Sequence, residues 1–281
     1  MSTAAFVGSP PLVVSSYTLG TDVPFRERVR AASAAGFDGI GLRAEDYLDA
    51  RAAGLNDSDM IAIAAEHGVR ILEVEYVTGW GTPRDRDAAQ REKERTVFHM
   101  ARAFGVGHVN AGLLEHQPAE VVIEAFAALC DRAGDDLVVA LEPMPYSAVR
   151  DLPAAWQVVR DAGRPGGAIL VDVWHWARAG TTVADLDPVP ADRIVALQLC
   201  DVRATPMEPL RAESLGHRLP PGHGHGDAVG VVRALRDRGV RPRVVAVEVI
   251  SEELVARGID FAAQICADAA RAVLDRVGST G

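Results

Sequence analysis

The sequence predicts an α/β protein, a single eight-stranded (β/α) barrel, and three observations predict it. Eight short runs rich in Val, Ile and Leu recur along the chain, helical patterns fill the intervals between them, and no linker or low-complexity tract divides the 281 residues. The runs are apolar on both faces, as strands of a parallel sheet covered by helices on both sides should be. One such barrel typically needs about 250 residues. The composition, 48% hydrophobic and 24% charged, is that of an ordinary globular chain.

The strands are expected at "PLVVSS" (11–16), "GIGLR" (39–43), "VRILEVEYV" (69–77), "VGHVNAG" (106–112), "LVVALEP" (137–143), "AILVDV" (168–173), "IVALQLCD" (194–201) and "RVVAVEVIS" (243–251). After the first comes a helix with Asp22 as cap, Pro24 in its first turn and Gly36 as its stop. Its Phe25, Val29 and Ala32 share one face. The next helix opens at Asn56 to Asp59 and closes at Gly68. A longer one covers 85–105, and others run from Pro118 to Gly134, to Gly163 and to Gly239. "DFAAQICADAARAVLDRV" closes the chain. An open doubly wound sheet would carry a glycine fingerprint after its first strand. Here that turn reads "SYTLGTDVP", and "GFDGIG" precedes a strand, which is the wrong context for dinucleotide binding. The barrel is therefore assigned to residues 11–277, between tails at 1–10 and 278–281.

A formal net charge of -10 repels phosphate backbones, so nucleic acid is not an expected partner. Cys130, Cys200 and Cys266 form no C-x-x-C pair and read as reduced packing thiols of a cytoplasmic protein. No apolar run approaches membrane-spanning length, and "MSTAAFVGSPP" lacks the features of a signal peptide.

Barrel active sites lie at the C-terminal ends of the strands. The third strand carries Glu73 and Glu75 there, and the fourth His108 and Asn110. The fifth to eighth end in Glu142, Asp172, Gln198 and Glu248, each after three or four apolar residues. A carboxylate above an apolar barrel costs several kcal/mol unless something pairs it. No Lys or Arg stands at the same strand ends, so a divalent cation is the simplest partner. Three carboxylates and an amide oxygen form a hard donor set that suits Mg²⁺ or Mn²⁺ better than Zn²⁺.

"ALEP", "VDVWHWARAG", "LQLCD", "RLPPGHGHGD" and "AVEVIS" together resemble the xylose-isomerase-like TIM-barrel superfamily, in particular its sugar phosphate isomerases/epimerases, inosose dehydratases and 3-dehydroshikimate dehydratases. The resemblance covers nearly the whole chain in organisation, with its specific motifs in residues 137–251. It implies one divalent metal held by Glu142, Asp172, Gln198 and Glu248. Two departures stand out. Many members have His where this chain has Gln198, and Gln there is associated with some 3-dehydroshikimate dehydratases. The loop that usually reads P-G-E-G is here "PPGHGHGD", with His223 and His225.

The implied chemistry is proton abstraction beside a carbonyl through a metal-stabilised enediolate. Glu142 or Glu248 is the base. His175, three residues beyond Asp172, leans over the same cavity as acid or hydrogen-bond donor. Return of the proton gives isomerisation or epimerisation of a keto-sugar or cyclic polyol; loss of a β-hydroxyl gives dehydration. Trp174, Trp176 and Trp80 are candidate walls, and Arg218, His217 and Glu75 candidate substrate contacts.

Other readings stay open. Arg43 and Glu45 form a salt bridge, and His108 is a core histidine. The glycine-rich "GHGHGD" either presents backbone N–H groups to an anion or is a surface loop with two solvated histidines. His67, His99 and His116 read as surface. A DNA-repair endonuclease would need many metal-binding histidines and a basic surface, which this chain lacks. A barrel without activity, serving as a binding subunit, would not need the three carboxylates. A homo-oligomer is possible.

Overall fold

A computed structural model of the chain describes residues 5–82 and 86–278. Its strands are β1 (Leu12–Val14), β2 (Gly39–Arg43), β3 (Arg70–Glu75), β4 (His108–Gly112), β5 (Val138–Glu142), β6 (Gly167–Asp172), β7 (Ile194–Leu199) and β8 (Val244–Val247). Its helices are α1 (Phe25–Ala34), α2 (Ala44–Ala52), α3 (Asp57–Glu66), α4 (Ala88–Phe104), α5 (Ala119–Ala133), α6 (Leu152–Ala162), α7 (Val173–Ala179), α8 (Leu210–Gly216), α9 (Ala228–Asp237), α10 (Glu252–Ala256) and α11 (Ile259–Gly278). All eight expected strands are present, most of them trimmed by a residue or more at their ends.

Every ladder is parallel, in the order β3-β2-β1-β8-β7-β6-β5-β4. The remaining seam, between β3 and β4, is joined by a bridge just past β3. Val77 N–H donates to Asn110 O at 2.8 Å and Gly112 N–H to Val77 O at 3.0 Å. The sheet is thus an almost closed barrel wrapped by helices.

Two apolar layers hold it. The barrel interior is filled by small inward-facing residues, among them Val13, Ala140, Ala168, Leu170, Ala196 and Ala246. The much larger second layer lies between the outer faces of the strands and the helices. Small inner residues let the strands close, and the outer layer supplies most of the apolar burial that drives folding.

Four helices, α2, α7, α8 and α10, lie outside the expected pattern. The connection after β2 holds both α2 and α3: Asp46 accepts the backbone N–H and the guanidinium of Arg43, which starts a helix directly at the strand end. That pairing corrects the proposed Arg43–Glu45 bridge. Arg43 binds Asp46, while Glu45 binds Lys93. Fully buried Arg28 joins the same cluster, donating to Asp46 and to the carbonyls of Ser16, Thr21 and Val23. The second unexpected helix, α7, begins at the site itself.

The chain ends also differ in detail. Within the expected N-terminal tail, Ala5 and Phe6 are buried, and Gly278 ends α11. Residues 1–4, 83–85 and 279–281 lie outside the described residues.

Candidate active site

Side chains alternate along a strand, so the residue two places after an inward one is also inward. Ala140, Leu170, Ala196 and Ala246 fill the interior. Two residues further on stand Glu142, Asp172, Gln198 and Glu248, the layer that ends the core. Register aligns them: Asp172 pairs with Gln198 across β6 and β7, and Gln198 with Ala246 across β7 and β8. One carboxylate oxygen from each of Glu142, Asp172 and Glu248 lies within 4.8 Å of the others. All three are buried, and Gln198 Oε1 is buried without a hydrogen-bond partner.

A protein cation also reaches the acids, from a loop and not from a strand end. Arg218 arrives from the segment after α8 and is 2% exposed. Its Nη1 donates to Asp172 Oδ2 at 2.8 Å and to Glu248 Oε2 at 2.9 Å. Its Nε donates to Ser214 O and its Nη2 to Ser214 Oγ. A guanidinium fork suits this double contact with two acids. Burial nevertheless pushes the Glu248 carboxyl up to about 8, against the opposing pull of Arg218 and with the help of Glu142 and Asp172.

Asp172 ends a strand and caps a helix. Its Oδ1 accepts the backbone N–H of His175 at 2.8 Å, so the D-x-x-H spacing is the N-cap geometry of α7. The cap also aims the imidazole. His175 Nε2 lies 3.3 Å from Glu142 Oε1 and 3.5 Å from Arg218 Nη2, while its Nδ1 is buried without a partner. Trp174 and Tyr146 meet the ring edge-on.

A second acidic group lies under the opposite wall. Glu73 accepts from Asn110 Nδ2 at 2.9 Å and Glu75 from Ser15 Oγ at 3.0 Å. Glu73 Oε2, Glu75 Oε1 and Asn110 Oδ1 are buried with no partner. Burial pushes the Glu73 carboxyl up to about 7 and Glu75 well above the usual carboxylate range, Glu75 also being raised by its neighbour Glu73. The two free oxygens face Gly41, where a Cβ would stand 2.5 Å from Glu75 Oε1 and 3.2 Å from Glu73 Oε2. Glycine leaves the space that this pair occupies.

Above these groups opens a cavity. Glu142, Glu248, Gln198, His175, Arg218 and Glu75 line it, together with Asn110. Asp172 is not part of this lining, and neither are four other expected residues. Trp80 is fully buried, donates to Gly112 O and packs on Phe126. Trp174 is fully buried behind His175, beneath the Arg218 guanidinium. His217 is half-buried and joins the backbone of Ser251. Trp176 lies on the outer side of α7, beside a separate small cavity near Asp151 and Thr181.

The glycine-rich loop is held from within. Asp201 accepts N–H groups from Val202, Gly224 and Gly226 at 2.8, 3.0 and 2.7 Å. The backbone donors that could have met an external anion are occupied, and His223 and His225 are exposed. His108 is a core residue as read, its pKa lowered to about 4 by burial and by Arg243.

Sequence reasoning missed the tyrosine walls. Tyr17, Tyr76 and Tyr146 line the cavity from loops and strand ends, where no spacing marks them. Burial pushes Tyr17 and Tyr146 up to about 12, and Tyr76 further. Cys200, read as packing, lies under the site, 3.6 Å from both Asp172 oxygens, and its thiol is pushed up by burial. Glu213, fully buried in α8, ties that helix to Arg178 of α7 and accepts the N–H of Met207. It thereby fixes the segment that carries Ser214 and Arg218.

Comparison with known proteins gives the family and the fold. A family model described as a xylose isomerase-like TIM barrel matches residues 29–265. A 3-dehydroshikimate dehydratase of Pseudomonas putida is 23% identical over 81% of this chain and 36% of its own length. The chain thus spans about a third of the curated relatives it matches. Among solved structures, an IolI protein with a bound zinc atom superposes with a TM-score of 0.84 at 19% identity, covering 96% of this chain and all of that one. A D-allulose 3-epimerase from Methylomonas sp., in complex with D-allulose, gives a TM-score of 0.72 at 15% identity over 94% of this chain and 96% of its own.

Proposed function

Because the chain belongs to the xylose isomerase-like TIM barrel family, we propose that it is a divalent-cation-dependent isomerase or epimerase of a keto-sugar or cyclic polyol. The observation that carries this reading is the convergence of Glu142, Asp172 and Glu248 within 4.8 Å of one another, with Glu142 and Glu248 lining the cavity.

The residues fit a cation. Arg218 pairs with two of the three buried carboxylates, Asp172 and Glu248, which leaves acid in excess. The unpartnered Gln198 Oε1 is the buried acceptor oxygen that a fourth ligand would supply. Glu142, Asp172, Gln198 and Glu248 would hold the ion, and the hard oxygen set favours Mn²⁺ or Mg²⁺. Such a cation, when bound, polarises a carbonyl and acidifies the neighbouring C–H.

The chain's own groups do the rest. Glu142 and Glu248 stand on different strands and both face the cavity, so one can take a proton from the carbon beside the carbonyl and the other can face the opposite side of that carbon. His175, beside Glu142, is placed to donate to a substrate oxygen. Arg218 fixes the orientation of Asp172 and Glu248, and Glu75 offers a hydrogen bond from the far wall. The tyrosine walls suit the apolar edges of a polyol ring.

Dehydration is the second reading. Gln198 in place of histidine and the similarity to a 3-dehydroshikimate dehydratase favour it. Both readings begin with the same proton abstraction. The test strips the protein with chelator, restores Mn²⁺ or Mg²⁺, and follows α-hydroxyketones in D₂O by NMR. Cation-dependent deuterium uptake beside the carbonyl without loss of mass supports isomerisation or epimerisation. Loss of water supports dehydration. A protein that takes up no cation and exchanges no proton overturns both.

A further inference from the structure

We infer that the substrate is an uncharged polyhydroxy ketone, and that the cavity excludes carboxylates and phosphates of the same shape. The inference rests on the proposed reaction class and deepens it.

A site for an anionic group needs a free guanidinium or ammonium, or a cluster of free backbone N–H groups. Among the described residues, the cavity wall offers neither. Arg218 is its one guanidinium, and four of its five N–H groups are engaged, the fifth being turned against the His175 ring. Nε is on Ser214 O, Nη1 on Asp172 and Glu248, and Nη2 on Ser214 Oγ and beside His175 Nε2. The next cations stand behind tyrosine rings and are paired. Arg43 lies over Tyr17 and is bound to Asp46, while Lys93 lies over Tyr76 and is bound to Glu45. The glycine-rich loop, which could have cradled an anion, spends its N–H groups on Asp201.

The charge balance points the same way. A divalent cation together with Arg218 only offsets Glu142, Asp172 and Glu248. A carboxylate or phosphate would enter a space with no surplus positive charge, and burying it unpaired is expensive. What the wall does offer is neutral: the hydroxyls of Tyr17, Tyr76 and Tyr146, Ser214 and the Asn110 amide, groups that pair with sugar hydroxyls.

The test uses pairs of probes that differ only in charge. Chelator-stripped protein is first titrated with Mn²⁺ alone, followed by electron paramagnetic resonance; absence of uptake would count against the proposed reaction class and not against this inference. The full chain, supplied with Mg²⁺, is then tested by saturation-transfer NMR. The pairs are 3-dehydroshikimate against its methyl ester, and D-fructose 6-phosphate against D-fructose. The neutral member of a pair is expected to bind about tenfold more tightly, or better. Leu215, 45% exposed on the cavity rim, can accept a cation without disturbing the core. L215R should therefore raise affinity for the anionic member. An acid or phosphate that binds as well as its neutral partner overturns the inference. So does failure of both neutral compounds to bind. An L215R protein that gains nothing overturns it as well, because shape rather than charge would then be the barrier.

Discussion

Arg218 donates to Asp172 at 2.8 Å, although 46 residues separate them and both are buried beneath the cavity. The same nitrogen reaches Glu248 at 2.9 Å. The guanidinium is thus the protein's own counter-charge for two members of the acidic triad. Breaking a buried pair by removing one partner typically costs about 3–5 kcal/mol, because the other charge stays buried. R218M should lose stability of that order in urea titrations with chelator present. Added Mn²⁺ should return part of it by taking over the counter-charge. A variant as stable as the parent in chelator would mean that the two acids are neutral without Arg218.

Glu73 predicts a pH dependence. Burial pushes its carboxyl up to about 7 from an ordinary value of 4.5. The folded state therefore holds this proton more tightly than the unfolded state. The resulting stability is fully present below 4.5 and is lost as pH rises through about 7, a difference of up to about 3 kcal/mol. Gln at this position keeps an oxygen for the Asn110 amide and cannot titrate. Urea midpoints of E73Q and the parent should therefore diverge between pH 5 and pH 7.5, with E73Q the more stable at the higher pH. Parallel pH curves would show that Glu73 is ionised throughout.

The strands and the acidic floor were legible in the sequence for one reason. In a parallel barrel buried on both faces, Ala140, Leu170, Ala196 and Ala246 make the inward residue two places on conspicuous when it is polar. Arg218 was legible as a site residue but not as the partner of Asp172, since nothing local links a loop residue to a strand end 46 positions earlier. The D-x-x-H spacing concealed α7, because a helix cap and a pair of site residues share it. Trp80 and Trp174 misled for a different reason: a large aromatic near a strand end serves equally as core, and both rings turn into the second apolar layer. The tyrosines that do face the cavity carry no pattern.

Asp201 gives a prediction about the loop. Its carboxylate accepts three backbone N–H groups and is buried, so it holds the 222–226 turn against the end of β7. Hydrogen bonds to a charged group contribute about 1.5–3 kcal/mol each at most, and removing one acceptor strands all three donors. D201A should cost about 3 kcal/mol or more in chemical denaturation. Amides 222–226 should exchange with solvent much faster than in the parent. Unchanged exchange would mean that water replaces the carboxylate without loss.

Gln198 gives a prediction about the proposed cation. Its Oε1 is buried and unpartnered, one ladder position from Asp172. If that oxygen only filled space, Q198A would bind Mn²⁺ as the parent does. As a ligand, its loss should weaken Mn²⁺ binding by about 10–100-fold, the scale set by loss of groups that support a metal centre. The variant also loses the Gln198 amide contact to Glu73 and leaves a small cavity, so it should melt somewhat lower in chelator, and the cation titration is the readout that isolates the oxygen. Q198H carries the argument further. Imidazole nitrogen is a softer donor than an amide oxygen and a favoured Zn²⁺ ligand. The variant should therefore gain affinity for Zn²⁺ relative to Mg²⁺. Competitive calorimetric titrations of the three proteins with Mn²⁺, Mg²⁺ and Zn²⁺ measure both effects. Equal Mn²⁺ affinities in the parent and Q198A would remove Gln198 from the ligand set and leave the three carboxylates to hold the ion alone.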